Sequence, residues 1–389
     1  MVHVFIVGSK GIPAKYGGFE TFVECLTKGR TIKEIQYHVS CMDNEEGEFV
    51  HNEAECFNVK VPLPGAPGRI LHVGLVLKYV EKWIKLNPKE NVIVYILGCR
   101  VGPLLIPHAK KLKKLNAKIF CNPDGLEWKR QKWNALEKRF LKYCEKCLVT
   151  NSDLSICDSV SIEKYIKDEY GDKVKGTTFI AYGAYLDDSI CDEKKAEEWY
   201  KRNNIRRKEY YLVVGRFVPD NNYKTIISEF IESKTKKDLV IITNVEKNKF
   251  YKELSDDTSF ENDNRIKFVG TVYDQELLKD IRRNAFAYLH GHEVGGTNPS
   301  LLEALSFTDV NMVYDVGFNR EVGKEAALYW TKEKGNLSQI INRAEREIDL
   351  DFALDMHEKA VKRIKEEYNW EKIINQYESV FINYDKEKN

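Results

Sequence analysis

Two doubly wound α/β domains, each a mostly parallel sheet with helices on both faces, are what this sequence predicts. Three observations carry the prediction. Short apolar runs of strand length alternate with stretches of helical periodicity, the pattern of parallel sheets covered by helices. The alternation comes in two series, separated by a charged stretch that lacks it. Glycine-rich joints follow several of the runs, at the strand ends where open α/β sheets bind ligands. A length of 389 residues with 43% hydrophobic content is enough for two cores.

In chain order, the first series of strands is expected at 3–7, 37–42, 57–63, 92–97, 118–121, 147–150 and 178–181. A helix is expected to begin near Gly18. Residues 70–86 form an amphipathic helix, because Lys78, Glu81, Lys82 and Lys85 recur at helical spacing. Core packing is its plain purpose, and a membrane-facing role is the sharper one. Residues 184–208 lose the alternation and carry Asp187, Asp188, Glu193, Lys194 and Lys195, so they read as a linker. The second series of strands is expected at 210–214, 239–243, 266–269, 285–289 and 310–314. Three helical stretches, 337–348, 352–368 and 370–384, close the chain.

Composition narrows the class. The formal charge of +1 provides no global field for nucleic acid. Positive charge is nevertheless clustered, in Lys110, Lys111, Lys113 and Lys114, and again in Lys129, Arg130, Lys132, Lys138, Arg139 and Lys142. Either group serves as a solvated helix face or as a binding surface. Nine cysteines without framework spacing fit reduced thiols. Cys144 and Cys147 have CxxC spacing, but no second pair follows, so no zinc or redox site is expected. The chain opens directly into a strand, so no signal peptide is expected, and no apolar run approaches bilayer-spanning length.

Four joints carry the candidate chemistry. The fourth, 290–304, organises the rest: Gly295, Gly296, Thr297, Asn298, Pro299 and Ser300 lie between a strand and a helix. Glycines admit close approach of a ligand, and amides at a helix start point donors at an anion. Glu303, expected on the first helical turn, is placed to accept from sugar hydroxyls. The first joint, 8–21, carries Gly17 and Gly18 but does not meet the dinucleotide fingerprint. The second, 122–130, crowds Asp124, Glu127, Trp128, Lys129 and Arg130 together. Carboxylates that orient hydroxyls, beside a ring that stacks on a sugar, suit carbohydrate chemistry; a turn with Asp124 as a helix cap is the structural alternative. The third, 215–222, holds Arg216, able to clamp a diphosphate or to serve in a salt bridge. The one Asp-x-Asp, at 349–351, reads as a helix cap, so no metal is implied.

With these joints in place the sequence resembles family-4 glycosyltransferases of the GT-B architecture. It resembles most the bacterial β-1,4-rhamnosyltransferases of capsule and cell-wall polysaccharide synthesis. The residues that carry the resemblance are Gly11-Ile12-Pro13, Tyr16-Gly17-Gly18-Phe19-Glu20-Thr21 and Leu97-Gly98-Cys99-Arg100. The long run Asn122-Pro123-Asp124-Gly125-Leu126-Glu127-Trp128-Lys129-Arg130, with Lys132-Trp133, is the most specific. Further matches are Ile180-Ala181-Tyr182-Gly183-Ala184, Gly215-Arg216-Phe217, Pro219-Asp220-Asn221-Asn222, residues 295–304 and Phe318-Asn319-Arg320-Glu321-Val322. Tyr368-Asn369-Trp370-Glu371-Lys372 looks like the family's terminal helix, which crosses back onto the first domain.

The resemblance implies two Rossmann-like domains facing a central cleft, 1–185 plus 370–389 for the acceptor and 186–369 for the nucleotide sugar. It implies a retaining transferase using dTDP-L-rhamnose, with no cofactor beyond the nucleotide-sugar substrate. Arg216 would hold the diphosphate and Glu303 the ribose. Gly17, Gly18, Asn222, His292, Gly295, Gly296, Thr297 and Asn298 would line the donor. Asp124 would orient or deprotonate the acceptor hydroxyl, beside Glu127, Trp128, Lys129 and Arg130. The acceptor would be a sugar, glucose or N-acetylglucosamine, on a polyprenyl diphosphate, and the basic clusters would hold a cytoplasmic protein on the inner face of the membrane. Two positions depart from the family pattern. Asn221-Asn222 stands where a second phosphate-binding lysine is usual, with Lys224 as a substitute, and Gly295 stands where the first glutamate of a pair is usual. His290, His292 or Thr297 would then read the sugar hydroxyls. A UDP-hexose donor, a non-catalytic partner subunit and a nucleotide-sugar epimerase are the competing readings.

Overall fold

The computed structural model describes the chain except residues 15, 16, 44, 62, 64, 188 and 385–389 and the side chain of residue 66. Tyr16 of the first joint, Asp188 of the expected linker, position 62 of an expected strand and the last residues of the first domain lie outside the described residues. The chain divides into two compact units, Met1–Gly183 with Trp370–Asn389, and Ala184–Asn369.

The first unit runs β1 (Val2–Val7), α1 (Gly18–Lys28), β2 (Ile35–Asp43), β3 (Gly47–His51), β4 (Ala54–Lys60), α2 (Gly65–Leu86) and β5 (Asn91–Leu97). It continues α3 (Leu105–Lys114), β6 (Lys118–Asn122), α4 (Ala135–Asn151), β7 (Leu154–Cys157), α5 (Val160–Tyr170) and β8 (Thr177–Phe179). The strand order is β3-β4-β2-β1-β5-β6-β7-β8. Every pair is parallel except the β3–β4 hairpin. From β1 the chain goes first to one side and then, at β5, to the other. The ends of β1 and β5 therefore flank the switch point, where a crevice opens.

The second unit runs α6 (Glu193–Arg202), β9 (Tyr210–Val214), α7 (Tyr223–Glu232), β10 (Asp238–Ile242), α8 (Lys249–Thr258), β11 (Ile266–Phe268) and α9 (Gln275–Arg283). It then runs β12 (Ala287–His290), α10 (Pro299–Phe307), β13 (Asn311–Tyr314), α11 (Gly317–Gly323), β14 (Leu328–Trp330), α12 (Asn336–Glu347) and α13 (Leu350–Arg363). Its order, β11-β10-β9-β12-β13-β14, is the Rossmann arrangement 3-2-1-4-5-6, with the switch between β9 and β12. Central strands such as β9 and β10 are almost wholly buried on both faces, which is why they read as unbroken apolar runs.

The closing helix α14 (Trp370–Asn383) belongs to the first unit. Trp370, Ile373, Ile374, Tyr377 and Phe381 are buried at helical spacing. Tyr377 lies 5.0 Å from Phe22 of α1, and its hydroxyl is 3.3 Å from that of Tyr95 on β5. The fully buried Glu378 accepts from the amides of Thr31 and Ile32 at 3.0 and 3.1 Å. These contacts join α14 to the first unit across 282 to 355 residues of chain.

Three expectations are corrected. Residues 147–150 are the end of α4, not a strand; a short apolar run on a buried helix face has no period of its own, and the strand is β7. The stretch 184–208 contains α6, whose Ala196, Trp199 and Tyr200 are buried, so it is not a plain linker. The strands β3 and β14 were not expected: β3 is a largely exposed edge with Val50 72% exposed, and β14 is very short. The helix α2 packs into the core as expected, through Val73, Val76, Leu77, Val80 and Ile84, and not outward as in the membrane-facing alternative. Its Glu81 is buried and bonded to His108 at 2.5 Å. Asp349 does cap α13, accepting from the Phe352 amide at 2.9 Å.

Candidate active site

In the second unit the joints after β9 and β12 meet at the switch point. They are laced by asparagines. Asn222 Nδ2 donates to the Gly291 carbonyl at 2.8 Å, Asn221 Nδ2 to the Arg216 carbonyl at 2.7 Å, and the Glu293 amide to the Asp220 carbonyl at 3.0 Å. Asn319, at the start of α11, donates to the carbonyls of His292 at 3.0 Å and Tyr314 at 2.9 Å. Asn222 thus spends its amide on the loop rather than on a phosphate. Its φ of 56° is one that asparagine tolerates better than most residues.

Gly291 is where these joints touch. A Cβ there would lie 2.2 Å from the Asn221 carbonyl oxygen and 2.8 Å from Ile226 Cδ1. Gly291→Ala is therefore expected to cost about 2 kcal/mol by forced overpacking and to weaken nucleotide binding. Gly18→Ala in the first unit meets nothing within 4 Å and is expected to leave stability unchanged. Denaturant unfolding of both variants checks the contrast.

Arg216 is exposed, and among the described residues no carboxylate lies within ion-pair distance of it. Lys224, the expected substitute for the family's second phosphate-binding lysine, is instead paired with Asp257 of α8 at 2.6 Å. Glu293 is likewise taken, by Lys332 at 2.6 Å. Glu303 lies one position beyond the first turn of α10. It is held by Arg282 Nη2 at 2.5 Å; Arg282 is almost fully buried while Glu303 remains 36% exposed. Arg282 thus orients the carboxylate from below. At the head of α10 the amides are less available than expected. Asn298 caps the helix, its side chain accepting from Ser300 N at 2.9 Å and its carbonyl from Leu301 N and Leu302 N at 3.0 and 3.1 Å. The amides of Gly295 and Gly296 bond to no other described residue, and they are the donors left for an anion. Thr297 is buried. His290 is fully buried, its ring stacked 4.4 Å from His292, and burial pushes its pKa down to about 3. It is a neutral imidazole.

In the first unit the joints after β1, β5 and β6 lie side by side. Gly98, with φ of 84°, sits so close to Phe19 that a Cβ would be 3.3 Å from its ring. The Gly98 amide donates to the Asn122 carbonyl at 2.9 Å. Around Gly17 the loop is pinned from α1: Glu20 accepts from the Lys10 amide at 2.7 Å and Glu24 from the Ala14 amide at 3.0 Å.

Asp124 is not a helix cap; Asn134 caps α4. Its φ is 64°, its amide donates to Asn122 Oδ1 at 2.8 Å, and its Oδ1 accepts from Gly125 N at 2.8 Å. Its second oxygen has no partner among the described residues. Leu126 follows with φ of 51°, a conformation that costs a branched side chain more than it costs Asp124. The surrounding packing must hold this strain, and the hub of that packing is Glu127. Glu127 is 3% exposed and accepts from Arg100 Nη2 at 2.7 Å, Arg130 Nε at 2.5 Å, Lys132 Nζ at 3.1 Å and Trp133 Nε1 at 3.3 Å. Burial alone would raise its pKa, but Arg130, Lys132 and Arg100 together hold it down at about 2.

Glu127 and Arg130 are therefore committed to each other and brace the loop, where contact with the acceptor was expected. Trp128 is also taken: Lys142 and Lys129 lie over its ring at 4.7 and 5.4 Å. Three residues not expected at the acceptor emerge beside them. Arg100 and Lys132 are about one-third exposed. Arg69 has its pKa lowered by burial and by Arg100, so these cations share one neighbourhood. Three cations thus bond the Glu127 carboxylate, and Arg69 feels both Glu127 and Glu20. Arg69 and Arg282 carried no local signal, since each looks like any solvated helix cation.

Glu127→Gln should destabilise the first unit by about 3 kcal/mol, because it leaves three cations uncompensated. Its pKa of about 2 lies below the ordinary 4.5, so its contribution is fully present above pH 4.5 and lost as pH falls towards 2. The variant should lack that part of the acid profile, which denaturant unfolding against pH would measure.

Residues 195–370 match the family described as Glycosyl transferases group 1, and residues 1–185 match Domain of unknown function (DUF1972). The second unit is thus similar to group 1 glycosyl transferases over most of its length. No curated protein matches the sequence. Among solved structures, sucrose-phosphate synthase from Thermosynechococcus elongatus is 14% identical, with 99% of each chain covered and a TM-score of 0.76. The α,α-trehalose 6-phosphate synthase from Burkholderia multivorans is 12% identical, over 100% of this chain and 97% of that one, with a TM-score of 0.71. Anabaena HepE in complex with UDP is 13% identical, over 98% of this chain and 100% of that one, with a TM-score of 0.71. At these identities the likeness shows the fold, and the fold is GT-B.

Proposed function

We propose that the chain is a retaining rhamnosyltransferase that moves L-rhamnose from dTDP-L-rhamnose onto glucose or N-acetylglucosamine carried on a polyprenyl diphosphate, forming a β-1,4 linkage for capsule or cell-wall polysaccharide. The observation that carries the reading is the joint 122–133. It places a half-buried carboxylate with one uncommitted oxygen, Asp124, three residues before Glu127, on which Arg100, Arg130 and Lys132 converge with Arg69 nearby. That pairing suits an acceptor with a hydroxyl at one end and a diphosphate at the other.

Donor chemistry belongs to the second unit. Arg216 and the amides of Gly295 and Gly296 would stabilise the diphosphate as charge develops on it, and Glu303, aimed by Arg282, would take the ribose hydroxyls. In the retaining route the acceptor attacks on the face from which the diphosphate leaves, and a leaving-group oxygen takes the proton. The protein then mainly positions reactants. A glycine at 295 removes a carboxylate that would bind donor-sugar hydroxyls, which suits a deoxyhexose with its methyl group. The acceptor lipid requires work at the inner face of the membrane, although no helix among the described residues is long and apolar enough to cross one.

A UDP-hexose donor is the second reading, favoured by the solved complex of HepE with UDP and glucose. The test is donor turnover with a synthetic lipid-diphosphate-linked glucose or N-acetylglucosamine. A deoxyhexose increment with dTDP-L-rhamnose alone supports the proposal. A hexose increment overturns the donor, and tight nucleotide binding without any product turns the reading towards a non-catalytic subunit.

A further inference from the structure

Building on the lipid-linked acceptor proposed above, we infer that the exposed face of α4 is the surface by which the first unit docks on an anionic lipid bilayer. Leu136 is 79% exposed, and Phe140 and Tyr143 are each 49% exposed. Their spacing of four and three residues places them in one strip along the helix. Scattered apolar residues on a surface are ordinary, whereas a continuous strip of three large ones is not. The strip is not core left uncovered: the opposite face of α4, with Leu141, Cys144, Glu145 and Leu148, is already buried.

Charge identifies the occupant. Arg139 and Lys146, both exposed, lie beside the strip on one side by helical spacing. On the other side Cys144 packs against Gly102, and the chain leads from there to Leu104, 43% exposed, and into α3, whose Lys110, Lys111 and Lys114 are exposed. Of these, Lys111 also reaches Glu81 at 3.6 Å. The acidic residue near the strip is Glu137, which is tied into the capping box of Asn134. An apolar strip flanked by long cationic side chains matches acyl chains in the middle and anionic headgroups beside them. The joint that carries Asp124 and Glu127 runs directly into the cap of α4, so docking here holds that joint at the depth of a membrane-borne diphosphate. The helix expected to serve, α2, has its apolar face in the core.

The experiment is co-sedimentation of the full chain with vesicles of neutral phosphatidylcholine alone or with about one-third anionic phosphatidylglycerol. Binding to the anionic vesicles only, weakened by salt, is expected. The double variant Leu136→Glu, Phe140→Glu should lose binding about tenfold with unchanged thermal unfolding, and Arg139→Glu with Lys146→Glu should lose it comparably. Equal binding by wild type and variants overturns the proposal, as does equal binding to neutral vesicles. So does a wild-type dimer in solution that Phe140→Glu splits, which would make a second copy the occupant. A short-chain, water-soluble acceptor separates this from the activity. Transfer to it should be normal in the variants; if wild type binds vesicles yet transfers to no acceptor, the functional reading fails and the docking surface stands.

Discussion

Asp124→Asn is expected to lower glycosyl transfer by about 10²- to 10⁴-fold while leaving nucleotide affinity unchanged. The substitution keeps size and shape, and an amide oxygen can still accept from Gly125 N as Oδ1 does at 2.8 Å. The positive φ of 64° is also one that asparagine accepts as readily as aspartate, so the loop should keep its form. What is lost is the negative charge with which the uncommitted oxygen orients the acceptor hydroxyl. Single-turnover transfer measured beside nucleotide titration separates the two effects. Near-normal turnover would remove Asp124 from the chemistry. Loss of both transfer and nucleotide binding would point instead to a collapsed fold.

Arg216→Met should reduce turnover by about 10²- to 10³-fold, the scale on which one preorganised donor to a developing charge is felt. The structure makes this a clean experiment. Arg216 is exposed and has no carboxylate partner among the described residues, so its removal leaves no buried charge unpaired. Its backbone stays anchored, because Asn221 Nδ2 still donates to its carbonyl at 2.7 Å. Thermal unfolding should therefore not move. Lys224→Met is the matched control: that cation is spent on Asp257 at 2.6 Å, and its loss should leave turnover near wild type. A reversed result, with Lys224 essential and Arg216 dispensable, would reassign the diphosphate ligand.

Much of the fold was legible because buried parallel strands have a strong local signature. The strands β9 and β10 are almost wholly buried, and their apolar runs place them to within a residue or so. The misreadings occur where that signature is weak or shared. Residues 147–150 and β7 are both short and buried, and only the register of β6 with β7 decides which of them extends the sheet. The hairpin strand β3 buries too little to be marked in the sequence. The terminal helix α14 shows its apolar stripe plainly, but a stripe does not say which sheet it will cover.

The sequence by itself determined the two series of parallel strands, the glycine joints at their ends and the apolar faces of the helices. These follow from periodicity and backbone sterics, which act between residues close in the chain. Tertiary structure alone decided which polar residues of those joints remain available. Glu127, expected to meet an acceptor, is bound to Arg100, 27 residues away. Glu303 is held by Arg282 from the preceding helix, and Asn222 and Asn298 are used in lacing and capping. A buried charge or amide must find a partner, and the partner is whichever complementary group the packed chain brings within 3 Å or so. That choice depends on the folded arrangement of distant segments, and no local pattern encodes it.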